Sequence, residues 1–119
     1  MSGLDVMLFD RRVLDAMVID FGPDVIGHLV AAYRGSAPGY VRQASINGEG
    51  PINDDQRRVV HSLKSSSRAL GLLRTGEMAA GIEARCFITA AEIGALSTLV
   101  DQGLAALDAY LTALAADGG

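Results

Sequence analysis

Apolar positions recur every three to four residues through most of the chain, the spacing of one buried helical face. In residues 9–19 they are Phe9, Val13, Leu14, Met17 and Val18, with Asp10 placed to cap the start and an end predicted near Phe21 and Gly22. Pro23 and Asp24 then reopen a helix, since proline suits a first turn and an acid suits the positive end of the helix dipole. Its stripe continues through Val25, Ile26, Leu29, Val30, Tyr33, Ala37, Tyr40, Val41 and Ala44 to about Ile46. Gly35, Pro38 and Gly39 fall inside it. Proline removes an intrahelical hydrogen bond, so a kink or break is predicted near Ser36.

Residues 47–54, Asn-Gly-Glu-Gly-Pro-Ile-Asn-Asp, concentrate turn formers and read as a loop. Helix resumes at about Asp54, with Val59, Val60, Leu63, Ser66, Ser67 and Leu70 on one side and Gly71 as the stop. A further helix is predicted from about Thr75 through Phe87, carrying Met78, Ala79, Ile82, Arg85 and Cys86 at helical steps. Thr89 is placed to cap a last helix with the stripe Ile93, Leu96, Leu99, Val100, Leu104, Leu107, Leu111 and Leu114. No alternation of strand length and no internal repeat is present. The prediction is an all-α chain, one domain over residues 1–119, folded as an antiparallel up-and-down four-helix bundle with a short additional N-terminal helix. The bundle spans about 9–115, and 115–119 is expected to fray.

Composition narrows what such a bundle does. Half of the 119 residues are apolar and 20% are charged, which permits a single packed core and excludes general disorder. A net charge of -4 argues against long-range attraction to nucleic acid or an anionic membrane. The one cysteine, Cys86, has no internal partner, and neither a basic start followed by a long apolar stretch nor an apolar run of membrane-spanning length occurs. A cytoplasmic, monomeric protein is the expectation.

Two histidines are the only side chains of a type whose unperturbed pKa lies near neutrality. His28 falls among Ile26, Leu29 and Val30 and reads as a packed or half-buried helical residue without a function. For His61, a turn of about 100° per residue puts Asp54, Arg57, Arg58, Lys64, Ser65 and Arg68 within roughly 60° of it. Burying Val59, Leu63, Ser66 and Leu70 forces that face into water. An exposed imidazole ringed by cations on a rigid helix is suited to attack a phosphoryl group while the cations offset its charge. A solvated helix face that happens to carry a histidine has the same periodicity.

The string His61-Ser62-Leu63-Lys64-Ser65-Ser66-Ser67-Arg68-Ala69-Leu70-Gly71 resembles the signature of histidine phosphotransfer (HPt) domains, His-x-Leu-Lys-Gly-Ser-Ser-x-x-Leu-Gly, at seven of eight fixed positions. Helix order extends the resemblance from about Phe9 to Leu114, and Met78, Ile82, Glu83 and Cys86 are similar to the helix that follows the family's motif. The departure is Ser65, where the family has glycine beside the imidazole. Serine is small enough to retain access, and its hydroxyl is able to hydrogen-bond the ring or a phosphoryl oxygen.

The resemblance implies that His61 accepts the phosphoryl group and Lys64 helps neutralise it, while Ser66 and Ser67 pack or bond locally. It implies a relay to and from the aspartate of response-regulator receiver domains or a hybrid sensor kinase, within a two-component phosphorelay. Arg57, Arg58, Lys64, Ser65 and Arg68 face that partner, and Leu14, Met17 and Val18 either contribute an apolar part or roof the core. The sequence has no phosphate-binding loop and no acidic metal pocket, so it is expected to be a covalent intermediate and not an ATP-dependent kinase, with no cofactor of its own and magnesium supplied by the receiver. A helical adaptor of the same fold, binding or sequestering a receiver without being phosphorylated, is the alternative.

Overall fold

The computed structural model describes residues 6–118. Side-chain caps set most of the helix starts. Asp10 accepts from the Arg12 amide and opens α1 (Arg11–Phe21), and Pro23 opens α2 (Pro23–Ala44). Asn53 and Gln56 form a reciprocal capping box at the start of α3 (Asp54–Ala69). Thr89 and Glu92 form a second at the start of α5 (Ala90–Gly118), whose Ala90 amide also donates to Glu49. Between them lies α4 (Leu73–Arg85). The five helices pack as an all-α bundle, the four longer ones forming its body.

Several boundaries differ from those predicted. α2 is one continuous helix across Pro38, with Tyr33, Ala37 and Val41 buried on either side of it. Packing of that stripe outweighs the single lost hydrogen bond. The Ser36 hydroxyl donates to the Ala32 carbonyl, and Arg34 pairs with Asp108 on α5. α2 ends at Ala44 rather than Ile46, and Ile46 is exposed. α4 starts two residues before Thr75 and stops before Phe87, where Phe87–Ile88 (β2) pairs antiparallel with Gly50–Pro51 (β1). Two residues per strand are too few to show as alternation. α5 stays helical through Gly118 in place of the frayed end, because Leu114 packs on the core and the alanines around it favour helix; residue 119 lies outside the described residues. His28 is exposed rather than packed.

The core runs the length of α2 and α5 and includes Ile26, Leu63, Leu72, Ile82, Leu96 and Leu107, all fully buried. α1 roofs one end through buried Leu14 and partly buried Met17 and Val18. Phe9 meets Tyr110 edge to face at 6.1 Å, and the Tyr110 hydroxyl donates to Asp15 at 2.7 Å. Burial, with the carboxylate next to it, pushes that phenol up to about 12, so it remains a donor.

The turn between α3 and α4 fixes how those helices face each other. The Leu72 amide bonds the Ser67 carbonyl and the Gly71 amide bonds the Arg68 carbonyl, the paired bonds of a Schellman end. Gly71 has φ +77°, and its carbonyl accepts from the Asp10 amide at 2.8 Å. Next to this turn, the Thr75 hydroxyl is buried without a hydrogen-bond partner. Thr75→Val keeps the shape and removes the orphaned group, so it is expected to stabilise by about 1 kcal/mol, raising Tm by about 3–5 °C in a calorimetric scan.

Candidate functional site

His61 sits at the middle of α3 with its side chain 57% exposed, as the polar face of that helix requires. Its surroundings are built from two helices. Val60, Leu63 and Ser67 are buried toward the core, and the Tyr33 and Ser67 hydroxyls hydrogen-bond at 2.9 Å, pinning the rotation of α3 against α2. α4 returns antiparallel from the Gly71 turn and brings Glu83 against the histidine.

Glu83 bridges the site. One carboxylate oxygen lies 2.7 Å from His61 Nδ1, and the other bonds Lys64 Nζ. A carboxylate only accepts, so Nδ1 carries a proton, and in the neutral ring Nε2 is the nitrogen with the free lone pair. The Glu83 side chain is 18% exposed and that of Lys64 20%, so both are more sheltered than a solvated face would make them. Lys64, with His61 after it, holds the Glu83 carboxyl below the usual glutamate range against the opposing effect of burial. At neutral pH the carboxylate is therefore ionised, compensating one cation and one ring proton.

The cations predicted around His61 separate into two groups. Arg58 is held by Asp55 at 3.2 Å and Arg68 by Glu77 at 3.6 Å. The Arg68 stem also lies across Gly76, where an added Cβ would stand 2.7 Å from its Cγ. Arg57 has no carboxylate partner among the described residues. It lines a shallow groove of about 280 Å³ with Asp54, Arg58, His61 and Glu83. Ser65 is exposed one turn beyond His61, and among the described residues its hydroxyl is bonded to neither ring nor backbone. Ser66 donates to the Ser62 carbonyl at 2.8 Å, the local bond expected of it, whereas Ser67 is fully buried and bonds Tyr33 across to α2.

Lys64 is attached to Glu83 instead of standing free in water. On the resemblance's expectation that His61 accepts a phosphoryl group, Lys64→Ala should slow that reaction about 3- to 10-fold while changing stability by less than about 1 kcal/mol, as measured by stopped reactions and urea unfolding. An unchanged rate removes the ammonium from the chemistry.

Glu83 is the site residue that sequence reasoning did not place. It stood within the string similar to the family's next helix, but periodicity orders residues within a helix and says nothing about which residue of another helix faces them. The usable signal was its position on α4 between buried Ala79 and Ile82 on one side and the exposed surface on the other.

No helix among the described residues is long and apolar enough to cross a membrane. No curated protein and no solved structure matches the chain. A family model does. It begins at Ile19, later than the resemblance expected from Phe9, and so leaves most of α1 outside the matched region while taking in the whole of α2, α3, α4 and their contact with α5. With residues 19–117 matching the Hpt domain model, the chain belongs to the Hpt domain family, whose members carry out histidine phosphotransfer in phosphorelays.

Proposed function

We propose that this chain relays a phosphoryl group between His61 Nε2 and the aspartate of receiver domains. The observation that carries the reading is the bond from Nδ1 to Glu83, which leaves the outward nitrogen of an exposed imidazole as the nucleophile. In the forward step the Nε2 lone pair attacks the phosphorus of an aspartyl phosphate. An N–P bond forms, the P–O bond to the aspartate breaks, and the receiver's carboxylate leaves. Both ring nitrogens are then substituted and the imidazole is cationic, with the Glu83 carboxylate beside it. Lys64 supplies positive charge next to the same ring, and Arg57 is the uncompensated cation available to steer an acidic partner. Ser65 leaves the flank of the ring open. The reverse step uses the same groups. Magnesium, where the reaction needs it, is held by the receiver's own acidic residues.

The test is intact mass after incubation with phosphoramidate, a small donor for accessible histidines. The expected result is one acid-labile phosphoryl adduct that maps to His61, is absent from His61→Gln, and is lost on mixing with a receiver domain and magnesium. A folded sample that forms no adduct, or one that maps elsewhere, overturns the assignment and favours a receiver-binding adaptor without chemistry.

A further inference from the structure

The end of the molecule built from α1, the first half of α2 and the last third of α5 is electrostatically unlike the rest. Residues 13–33 and 104–117 contain Asp15, Asp20, Asp24, Asp108 and Asp117 and no lysine or arginine. Arg11 and Arg12 open α1; with them counted this end holds two basic and five acidic residues against eight and nine in the remainder, so most of the net charge of -4 lies here. Arg11 and Arg34, at its margins, pair with Asp15 and Asp108. Asp20, Asp24 and Asp117 are exposed and have no cation partner among the described residues.

The same end leaves apolar surface uncovered. Ile19 is 83% exposed and Phe21 68%. Between α2 and α5 runs an open groove of about 600 Å³, floored by Gly27, Leu111, Leu114 and Ala115 and edged by Asp24 and His28. A Cβ at Gly27 would meet nothing within 4 Å. A second groove of about 270 Å³, between α1 and α5, shares Leu114 and is edged by Asp117 and by the Arg11–Asp15 pair.

We propose that this end is a second docking surface, and that its occupant is a basic amphipathic helix of a partner protein. Such a helix lays its apolar side along Leu111, Leu114 and Gly27 and sets lysine or arginine against Asp24 and Asp117. The charge selects the occupant. A second copy of this chain brings five more aspartates to the same place and is repelled, and an anionic surface is repelled likewise. Its grooves share no lining residue with the groove beside His61.

The experiment titrates the ¹⁵N-labelled full chain with a leucine–lysine amphipathic peptide of about four helical turns, following amide shifts. Shifts confined to Gly27, His28, Leu111, Leu114 and their neighbours are expected. Affinity is expected to fall at least about tenfold for the Asp24→Asn, Asp117→Asn double variant, and equally when glutamate replaces lysine in the peptide. Phosphorylation of the double variant by phosphoramidate should be unchanged, showing that it is folded. Shifts centred on Arg57 and Lys64, undiminished binding by the double variant or the acidic peptide, or sedimentation showing that the free chain buries this end by self-association would each overturn the proposal.

Discussion

Glu83→Ala is expected to lower the rate of His61 phosphorylation by phosphoramidate about 10- to 100-fold, with the helical fold retained. The substitution removes the acceptor that keeps the proton on Nδ1, so part of the population places it on Nε2 and loses the nucleophilic lone pair. It also leaves Lys64 without its counter-charge next to a ring that must become cationic. Glu83→Gln separates the two effects: its amide oxygen still accepts from Nδ1, but the negative charge is gone, so a loss smaller than that of alanine is expected. Imidazole ¹⁵N shifts should report the Nδ1–H tautomer in the wild type and a mixture in the alanine variant. Equal rates in all three proteins would show that Glu83 is a structural neighbour only.

The same carboxylate predicts a pH dependence. Its proton affinity is lowered in the folded state, chiefly by Lys64 and then by His61, so the folded chain binds fewer protons than the unfolded one in mild acid. The stability this contributes is complete above the ordinary glutamate range and is lost as the pH falls through the lowered folded value. In Glu83→Gln the acid limb of a stability-against-pH curve is expected to be flatter than in the wild type.

Gly71→Ala is expected to destabilise by about 3 kcal/mol, dropping Tm by about 10 °C or more. Two causes add. The residue sits at φ +77°, where a Cβ is strained, and that Cβ would lie 2.5 Å from the Asp10 carbonyl oxygen and 3.3 Å from Val13 Cβ. The first obstacle is backbone and has no rotamer by which to move away, so relief requires lifting α1 and breaking the Asp10–Gly71 hydrogen bond. Gly48→Ala is the control, since Gly48 has φ +68° with nothing within 4 Å of the added atom. It carries the strain without the collision and should lose about 1 kcal/mol. Comparable losses at the two positions would mean that the contact with α1 contributes little.

Where the chain states its structure through short-range chemistry, it can be read directly. Asp10 and Thr89 mark helix starts because each accepts from an amide within three residues, Pro23 because its fixed φ suits a first turn, and the apolar stripes named the core because burial follows the helical period. The start of α4 was misplaced because no side chain caps it; the bonds of the preceding turn set its position. Pro38 misled in the opposite direction, since a local penalty was overridden by packing along α2. His28 and His61 show the same limit from two sides. An apolar neighbourhood in sequence did not bury His28, because the stripe turns past it, whereas the polar arc around His61 did mark an exposed residue. Arg57, Arg58 and Arg68 look equivalent in the sequence and are not in space, because Asp55 and Glu77 neutralise two of them.

His61, Lys64 and Glu83 all belong to one helical hairpin, closed by three residues between Ala69 and Leu73. Its ring-to-carboxylate contact spans only 22 positions of chain. Closing so short a loop carries a small entropic penalty, so the contact among these three side chains is local in the chain even though α1 and α2 hold the hairpin in place. Exposed side chains on α1, α2 and α5 can therefore be substituted without shifting His61, Lys64 and Glu83 relative to one another.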